Sequence, residues 1–376
     1  MELPFTLRQK LQNRKNNGIL RQLKTDAAAV DFCSNDYLGL ARSPKLKAIL
    51  EQELLRYPDL PIGATGSRLL SGNSSLMEEL ELTLANFHQG EAALLFNSGY
   101  TANTGFFSAV PQRGDTILYD EASHASIKDG IRLSLAKAFS FRHNAVEDLK
   151  RKMQRATGTI YVVVESLYSM DGDFAPLPDL AELCIEAGAY LIVDEAHTNG
   201  IYGNKGEGLV QELNLQTKVF ARILTFGKAL GSHGAAVVGS KELKEFLINF
   251  SRPFIYTTAL PLHAILCIRS AYTLLPAMGA EREKLRTLAG YLSKLLTEHA
   301  KGIEINAGDS PIKAILGFSI PQLKAVSDNL IAQGMAVRPI FTPTVPEGKE
   351  QLRVIVHTYN TEAEIEQLVS NLAASR

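Results

Sequence analysis

Short apolar runs at residues 92–96, 116–119, 159–164, 190–193, 223–226 and 235–238 alternate with helical stretches such as 177–187. Runs this apolar suit strands buried on both faces. Strands that alternate with helices build a mainly parallel sheet with helices packed on it, the α/β class. In such sheets, ligands bind beyond the carboxyl ends of the strands.

The flanking segments read differently. Residues 5–24 form a basic amphipathic helix or arm, with Phe5, Leu7, Leu11, Ile19 and Leu20 on its apolar side and Gly18 interrupting it. Residues 30–33 read as a strand, 44–57 and 74–88 as helices, and 63–72 as a loop of small residues. From 262 to 300 a long helical run is broken by Pro276 and Gly279. Short strands (312–320, 352–357) and helices (322–333, 361–373) then indicate a smaller α+β domain at the C-terminus. A chain of 376 residues exceeds what one core usually covers. The expected divisions are an arm with a short strand (1–43), a large domain (44–270) and a C-terminal domain (271–376).

Composition excludes several classes. Apolar residues make up 45% and charged residues 21%, and the net charge is −1, so no basic surplus points to nucleic acid. No apolar stretch approaches the ~20 residues of a membrane span. The N-terminus shows no basic segment followed by an apolar core, so no secretory signal is expected. Cys33, Cys184 and Cys267 are odd in number and far apart, which fits a reducing cytosol and no metal site.

Polar clusters follow five of the apolar runs: 97–103, 120–126, 165–173, 194–197 and 225–228. Two of them set the chemistry. Asp194-Glu195-Ala196-His197 follows one run, and Thr225-Phe226-Gly227-Lys228 ends another. A lysine that can form a Schiff base and a carboxylate that can keep a pyridine nitrogen protonated suit pyridoxal 5'-phosphate (PLP). Asp-Glu-Ala-His also resembles the Mg²⁺ motif of a helicase-type ATPase. That reading needs G-x-x-x-x-G-K-[ST]. Here Arg222 stands at the first glycine and Ala229 follows Lys228, so the nucleotide reading fails.

Ser98-Gly99-Tyr100 opens a helix, whose free N–H groups can hold a phosphate; taken alone it is an ordinary cap. Thr225 lies three residues before Lys228 and offers a hydroxyl to the same phosphate. His124 can stack on an aromatic ring, and His197 can reach the ligand of Asp194. A single histidine is more often packed or solvated; the joint pattern is what lifts these two. His88, His143, His263 and His299 show no partner in the sequence and read as structural, and Ser232-His233-Gly234 reads as a turn.

The chain resembles the α-oxoamine synthases, fold-type I PLP enzymes that condense an amino acid with an acyl thioester. The resemblance runs nearly end to end, through residues 34–40, 71–73, 96–103, 123–126, 169–177, 194–197, 225–228, 255–261 and 352–354. It implies that Lys228 binds the cofactor and moves the substrate proton, that Asp194 pairs with the pyridinium, and that His124 stacks on the ring. It further implies that His197 meets the ring hydroxyl, that Ser98, Gly99, Tyr100 and Thr225 hold the phosphate, and that Ser169 and Glu165 flank the ring.

Thr257 and Thr258, after a strand-like segment, match a motif that reaches the phosphate of a neighbouring subunit, which implies a homodimer with shared sites. Arg353 matches the residue that grips the amino-acid carboxylate. Asn35 and His124 also match substrate positions, and Arg21 and Thr344 match contacts to the acyl group. Met77, His357 and Asn360 depart from the commoner pattern of histidine, threonine and histidine.

Within the family, the lack of a transit sequence and of a long N-terminal extension argues against 5-aminolevulinate synthesis, and the 344–348 turn favours condensation of L-alanine with a pimeloyl thioester, the step that feeds biotin synthesis. The carrier is coenzyme A or an acyl carrier protein. Glycine acetylation and serine palmitoylation are the alternatives, and a PLP-binding regulator without turnover is the reading from another class.

Overall fold

The computed structural model describes residues 2–23, 30–299, 304–306 and 308–374. It forms two compact units. The smaller comprises Met1–Ser34, Met170–Asp173 and Lys284–Arg376, and the larger comprises Asn35–Ser169 and Phe174–Glu283. These units do not follow the divisions drawn at 43/44 and 270/271. The helix Leu262–Leu274 buries Ile265, Leu266 and Ile268 against helices Pro44–Leu55 and Ser75–Phe87, which ties it to the larger unit. Pro276 lacks a backbone N–H and falls in a 3₁₀ turn, Leu275–Ala277, before the helix Gly279–His299.

The smaller unit opens on the helix Phe5–Asn16, which stops short of the expected 5–24. Gly18 at φ +67° turns the chain there. Residue 24, the last of that expected arm, lies outside the described residues. Val30–Asp31 (β1) follows.

The larger unit is built on seven strands: β2 Ala92–Phe96, β3 Thr116–Asp120, β4 Lys137–Phe141, β5 Ile160–Glu165, β6 Tyr190–Asp194, β7 Ala221–Thr225 and β8 Ala235–Gly239. Their order is β2-β8-β7-β6-β5-β3-β4, and only β8 runs antiparallel to its neighbours. Val163, Ile192 and Ile223 on the central strands pack with Phe106, Phe107 and Ile127 from the covering helices, all fully buried. The alternation of apolar runs therefore produced the sheet it implied. It missed β4, an edge strand whose Lys-Ala-Phe-Ser alternates exposed with half-buried positions before the buried Phe141, and which so lacks a continuous apolar run. Because β2, β3, β5, β6 and β7 point the same way, their polar ends share one edge.

In the smaller unit, β9 Glu304–Asn306, β10 Ile312–Leu316, β12 Arg338–Ile340 and β13 Gln351–Ile355 make an antiparallel sheet, ordered β12-β13-β10-β9. The strand β11, Met335–Ala336, pairs in parallel with β1. The expected strand 312–320 ends at Leu316, since Gly317 takes φ +87° and Ser319 caps the helix Ile320–Ala332. Phe32, Leu292, Leu296, Leu330, Leu352, Val354, Ile365 and Leu368 form this unit's own core.

Candidate active site

Lys228 sits in a tight loop just past β7. Gly231 N donates to Lys228 O (2.8 Å), and Ser232 N donates to Phe226 O (2.8 Å). Gly231 has φ +61°, and a Cβ there would strike the backbone of Leu40 and Ala41, so glycine is required. The loop aims Lys228 Nζ at His197 Nε2, 2.6 Å away. His197 Nδ1 lies 2.6 Å from Tyr37 Oη, and Tyr37 Oη donates to Asn35 Oδ1 at 3.4 Å.

Asp194 ends β6, and in the sheet register it stands beside Glu165 at the end of β5. The Asp194 carboxylate is buried. Its Oδ2 accepts from Asn103 Nδ2 (2.7 Å) and its Oδ1 from Ala196 N (2.8 Å). Burial, then the adjacent Asp194 charge, push the Glu165 carboxyl up to about 8. Glu165 Oε1 accepts the His124 N–H at 2.6 Å.

His124 caps the helix Ala125–Leu133, and burial is the main cause that lowers its pKa. Ser126 N donates to His124 Nδ1 (3.2 Å), which places the ring proton of a neutral imidazole on Nε2. Asn103 Nδ2 also reaches Ser126 Oγ (3.1 Å), so one buried amide ties the His124 loop to Asp194.

The helix Gly99–Ala109 begins beside these groups. Ser98 Oγ accepts from Thr101 N (3.1 Å), and Thr101 Oγ1 accepts from Ser98 N (2.9 Å), a reciprocal cap. That cap uses the N–H groups of Ser98 and Thr101 and leaves those of Gly99 and Tyr100 at the helix tip. A Cβ on Gly99 would stand 3.5 Å from Thr225 Cβ and Oγ1, so the missing side chain opens the space between that tip and the threonine. Asn97 Nδ2 donates to Thr257 Oγ1 (3.1 Å) and Thr258 O (2.8 Å). Thr258 is exposed and Thr257 half-buried; the segment before them, Arg252–Ile255, is a short helix rather than the expected strand. Ser169, half-buried, closes the segment that follows β5.

Two observations test whether PLP fits. Asp194 is buried and held by two neutral donors, an arrangement a pyridinium N–H would complete. The Gly99 gap faces a helix N-terminus and a threonine hydroxyl, groups that suit a phosphate. These residues fit the cofactor. The Asp-Glu-Ala-His glutamate does not serve a metal here. Glu195 is fully buried, with Arg222 Nε 2.6 Å from its Oε2 and Val210 N on its Oε1.

The remaining candidates lie in the smaller unit. Arg21 Nη2 donates to Thr344 Oγ1 (2.8 Å) at an exposed position. Arg353 on β13 is directly opposite Arg338 on β12, with Ala314 on its other side. The His357 and Asn360 departures form one buried link. His357 N donates to Asn360 Oδ1 (2.9 Å), His357 Nε2 lies 2.9 Å from Ser34 O, and Asn360 Nδ2 donates to Asp31 O (3.2 Å). In the larger unit, Met77 is buried and lines a small apolar cavity with Phe96 and Leu260.

His88 is a core residue bonded to Glu207 O and Tyr272 Oη (both 2.9 Å), and burial, then Arg222, hold its pKa well below the usual value. His143 does have a partner, Asp120 at 2.9 Å. Tyr37 and Asn103 both fall inside segments that carry the family resemblance, 34–40 and 96–103, yet nothing in their spacing shows which side chains they meet.

Residues 27–372 match the family of aminotransferase class I and II, and the chain belongs to it. It is 40% identical to the 8-amino-7-oxononanoate synthase of Emericella nidulans, over 98% of this chain and 94% of that protein. Among solved structures it resembles the 8-amino-7-oxononanoate synthase of Francisella tularensis, with a TM-score of 0.80 and 28% identity, covering 93% and 98% of the two chains. It also resembles a serine palmitoyltransferase from S. paucimobilis with a bound PLP–myriocin aldimine, with a TM-score of 0.88 and 28% identity, covering 99% and 96%.

Proposed function

We propose that this chain condenses L-alanine with a pimeloyl thioester, with loss of CO₂, to give 8-amino-7-oxononanoate for biotin synthesis, using PLP. The 40% identity to an enzyme of that name, across almost the full length of both, carries the choice of reaction. The chemistry is supported by Lys228 and Asp194 at neighbouring strand ends, each fixed by buried partners.

When bound, PLP supplies an electron sink for the carbanion at the substrate α-carbon. Lys228 Nζ would hold the aldehyde and then accept the α-proton, and Asp194 would keep the pyridine nitrogen protonated. His197 would meet the ring hydroxyl, His124 would stack on the ring, and Glu165 and Ser169 would flank it. The Ser98 cap leaves the Gly99 and Tyr100 N–H groups to hold the phosphate, and Thr225 Oγ1 would join them. Arg353 would bind the amino-acid carboxylate, Asn35 would contact the substrate, and Arg21 and Thr344 would meet the acyl substrate on coenzyme A or an acyl carrier protein.

The working unit in this proposal is a cytoplasmic homodimer. Exposed Thr258 beside half-buried Thr257 supports a hydroxyl shared with the partner's phosphate, and an isologous pair would bury Tyr256, now 72% exposed, on both copies. Three free cysteines fit the cytosol. No helix among the described residues is long and apolar enough to cross a membrane. Mixing inactive Lys228→Ala chains with inactive Thr257→Asp/Thr258→Asp chains restores part of the activity, because one heterodimer site escapes both lesions. No recovery after proven subunit exchange removes the shared site.

Serine palmitoylation is the second reading, favoured by the 0.88 TM-score, with glycine acetylation behind it. Mass spectrometry of products from alanine, glycine and serine, each offered pimeloyl, acetyl and palmitoyl thioesters, separates the three. Alanine with the pimeloyl thioester is expected to give 8-amino-7-oxononanoate as the main product. A dominant product from either other pair overturns the assignment, and no turnover with any pair leaves a PLP-binding regulator.

A further inference from the structure

Behind Lys228 the larger unit holds a chain of bonds that the proposed reaction does not itself require. Lys228 Nζ lies 2.6 Å from His197 Nε2, His197 Nδ1 lies 2.6 Å from Tyr37 Oη, and Tyr37 Oη lies 3.4 Å from Asn35 Oδ1. Tyr37 is 0% and His197 2% exposed, and their rings meet edge to face at 6.1 Å. A polar atom left unmatched this far from water carries its full desolvation cost.

The donors and acceptors along this chain fix where each proton sits. An ammonium can only donate. His197 Nε2 must therefore accept from Lys228, and the ring proton must be on Nδ1. Tyr37 Oη accepts that proton and turns its own O–H toward Asn35 Oδ1. Once Lys228 holds the cofactor, His197 Nε2 faces an ionised ring oxygen instead. An oxygen anion can only accept, so Nε2 must now carry the proton and Nδ1 bears a lone pair. The group opposite Nδ1 has to change from acceptor to donor.

A hydroxyl does both by rotating about its C–O bond. A carboxylate could serve only the first state, and a backbone N–H only the second. We infer that Tyr37 is a positioning residue whose hydroxyl lets His197 move its ring proton from Nδ1 to Nε2 as the cofactor is taken up, with the short His197–Tyr37 hydrogen bond kept in both states and only the long Tyr37–Asn35 bond given up. The inference rests on the reading that Lys228 binds PLP. Both states are neutral imidazoles with one ring proton, so the proton count of the ring is unchanged. What differs is the nitrogen that carries the proton and the direction of the Tyr37 O–H, Asn35 Oδ1 in one state and His197 Nδ1 in the other.

The test is ¹⁵N NMR of the full chain with labelled histidine, before and after PLP is added, with the His197 signals assigned by their loss in His197→Gln. The expected result is a proton on Nδ1 without PLP and on Nε2 with it. The same tautomer in both samples overturns the inference. In Tyr37→Phe the ring stays but the hydroxyl is gone. The hydroxyl partners His197 Nδ1 in both states, so its loss is read in the tautomers: the clean change from Nδ1 to Nε2 is expected to become a mixture of the two in each sample. A Tyr37→Phe protein with the wild-type tautomer change also overturns it. If Tyr37→Phe does not fold, the wild-type measurement decides alone. Borohydride treatment separates this failure from that of the cofactor reading: a wild-type chain in which no PLP becomes fixed to Lys228 sinks the cofactor reading and the inference with it.

Discussion

The two units treat their polar residues in opposite ways. At the strand edge of the larger unit each reactive side chain leans on another: His197 on Tyr37, Asp194 on Asn103, His124 on Ser126. In the smaller unit, Arg21 and Thr344 are joined by one exposed hydrogen bond. There Arg353 stands across from Arg338, and like charges directly opposed on neighbouring strands disfavour each other. In the proposed function the first region would hold one cofactor and the second would meet the substrates. Two cations on one sheet face attract a carboxylate. Loss of a residue in the first region should stop the chemistry. Loss in the second should weaken binding and leave the chemistry intact.

The sharpest way to break this contrast is Lys228→Ala. Turnover should fall below detection, by more than the ~10⁴-fold one acid–base group supplies, because attachment and proton transfer are lost together. The variant should still take up PLP through the phosphate cradle, yet borohydride should fix none of it. Residual turnover near wild type, or PLP fixed to another lysine, would remove Lys228 from the centre of the site.

Asp194→Asn comes next. The amide keeps the shape but cannot hold a cation, so exchange of the alanine α-proton in D₂O should slow by up to about 10⁴-fold. PLP binding should survive. Near-normal exchange would show that the buried carboxylate has no part in the electron sink.

The reach of the sequence also differed between the two regions. The parallel sheet was legible because buried strands are continuous apolar runs, and Lys228, Asp194, His124 and His197 all fall at or just past the end of one. β4 was not legible, because an edge strand carries a mixed pattern. Tyr37 and Asn103 stayed hidden for another reason. Tyr37 is 160 residues from His197 and Asn103 is 91 from Asp194, and no periodicity encodes a contact made by tertiary folding. In the smaller unit, the Arg353–Arg338 pair depends on strand register, which local pattern does not fix where both residues are polar. His357 and Asn360 read as departures of unknown effect; in the fold they form a buried clasp on Asp31 and Ser34.

Arg353→Ala probes the second region. Loss of a charge-assisted contact worth about 2–3 kcal/mol should raise the amino-acid KM roughly 30- to 150-fold. The kcat should change far less, and the absorbance of the bound cofactor should not change. An altered cofactor spectrum would mean that the two regions are not energetically separate.

The smallest expected effect concerns stability and returns to the preset edge. Burial and the neighbouring Asp194 raise Glu165 to about 8, against 4.5 for an ordinary glutamate. An acid raised in this way stays protonated in the folded chain between those values, while the unfolded chain has already released its proton. The folded state therefore binds more protons, and stability contributed at this site falls as pH rises from about 4.5 to about 8. Glu165→Gln should remove that part of the slope. Its Oε1 still accepts the His124 N–H, so the loop keeps its anchor. The measurement is the Tm of the protein without added PLP, followed from pH 5 to pH 8, in both forms. Wild type should lose more Tm than Glu165→Gln as pH rises. Parallel curves would mean that Glu165 is already ionised beside Asp194, and that the edge tolerates two adjacent negative charges before any cation arrives.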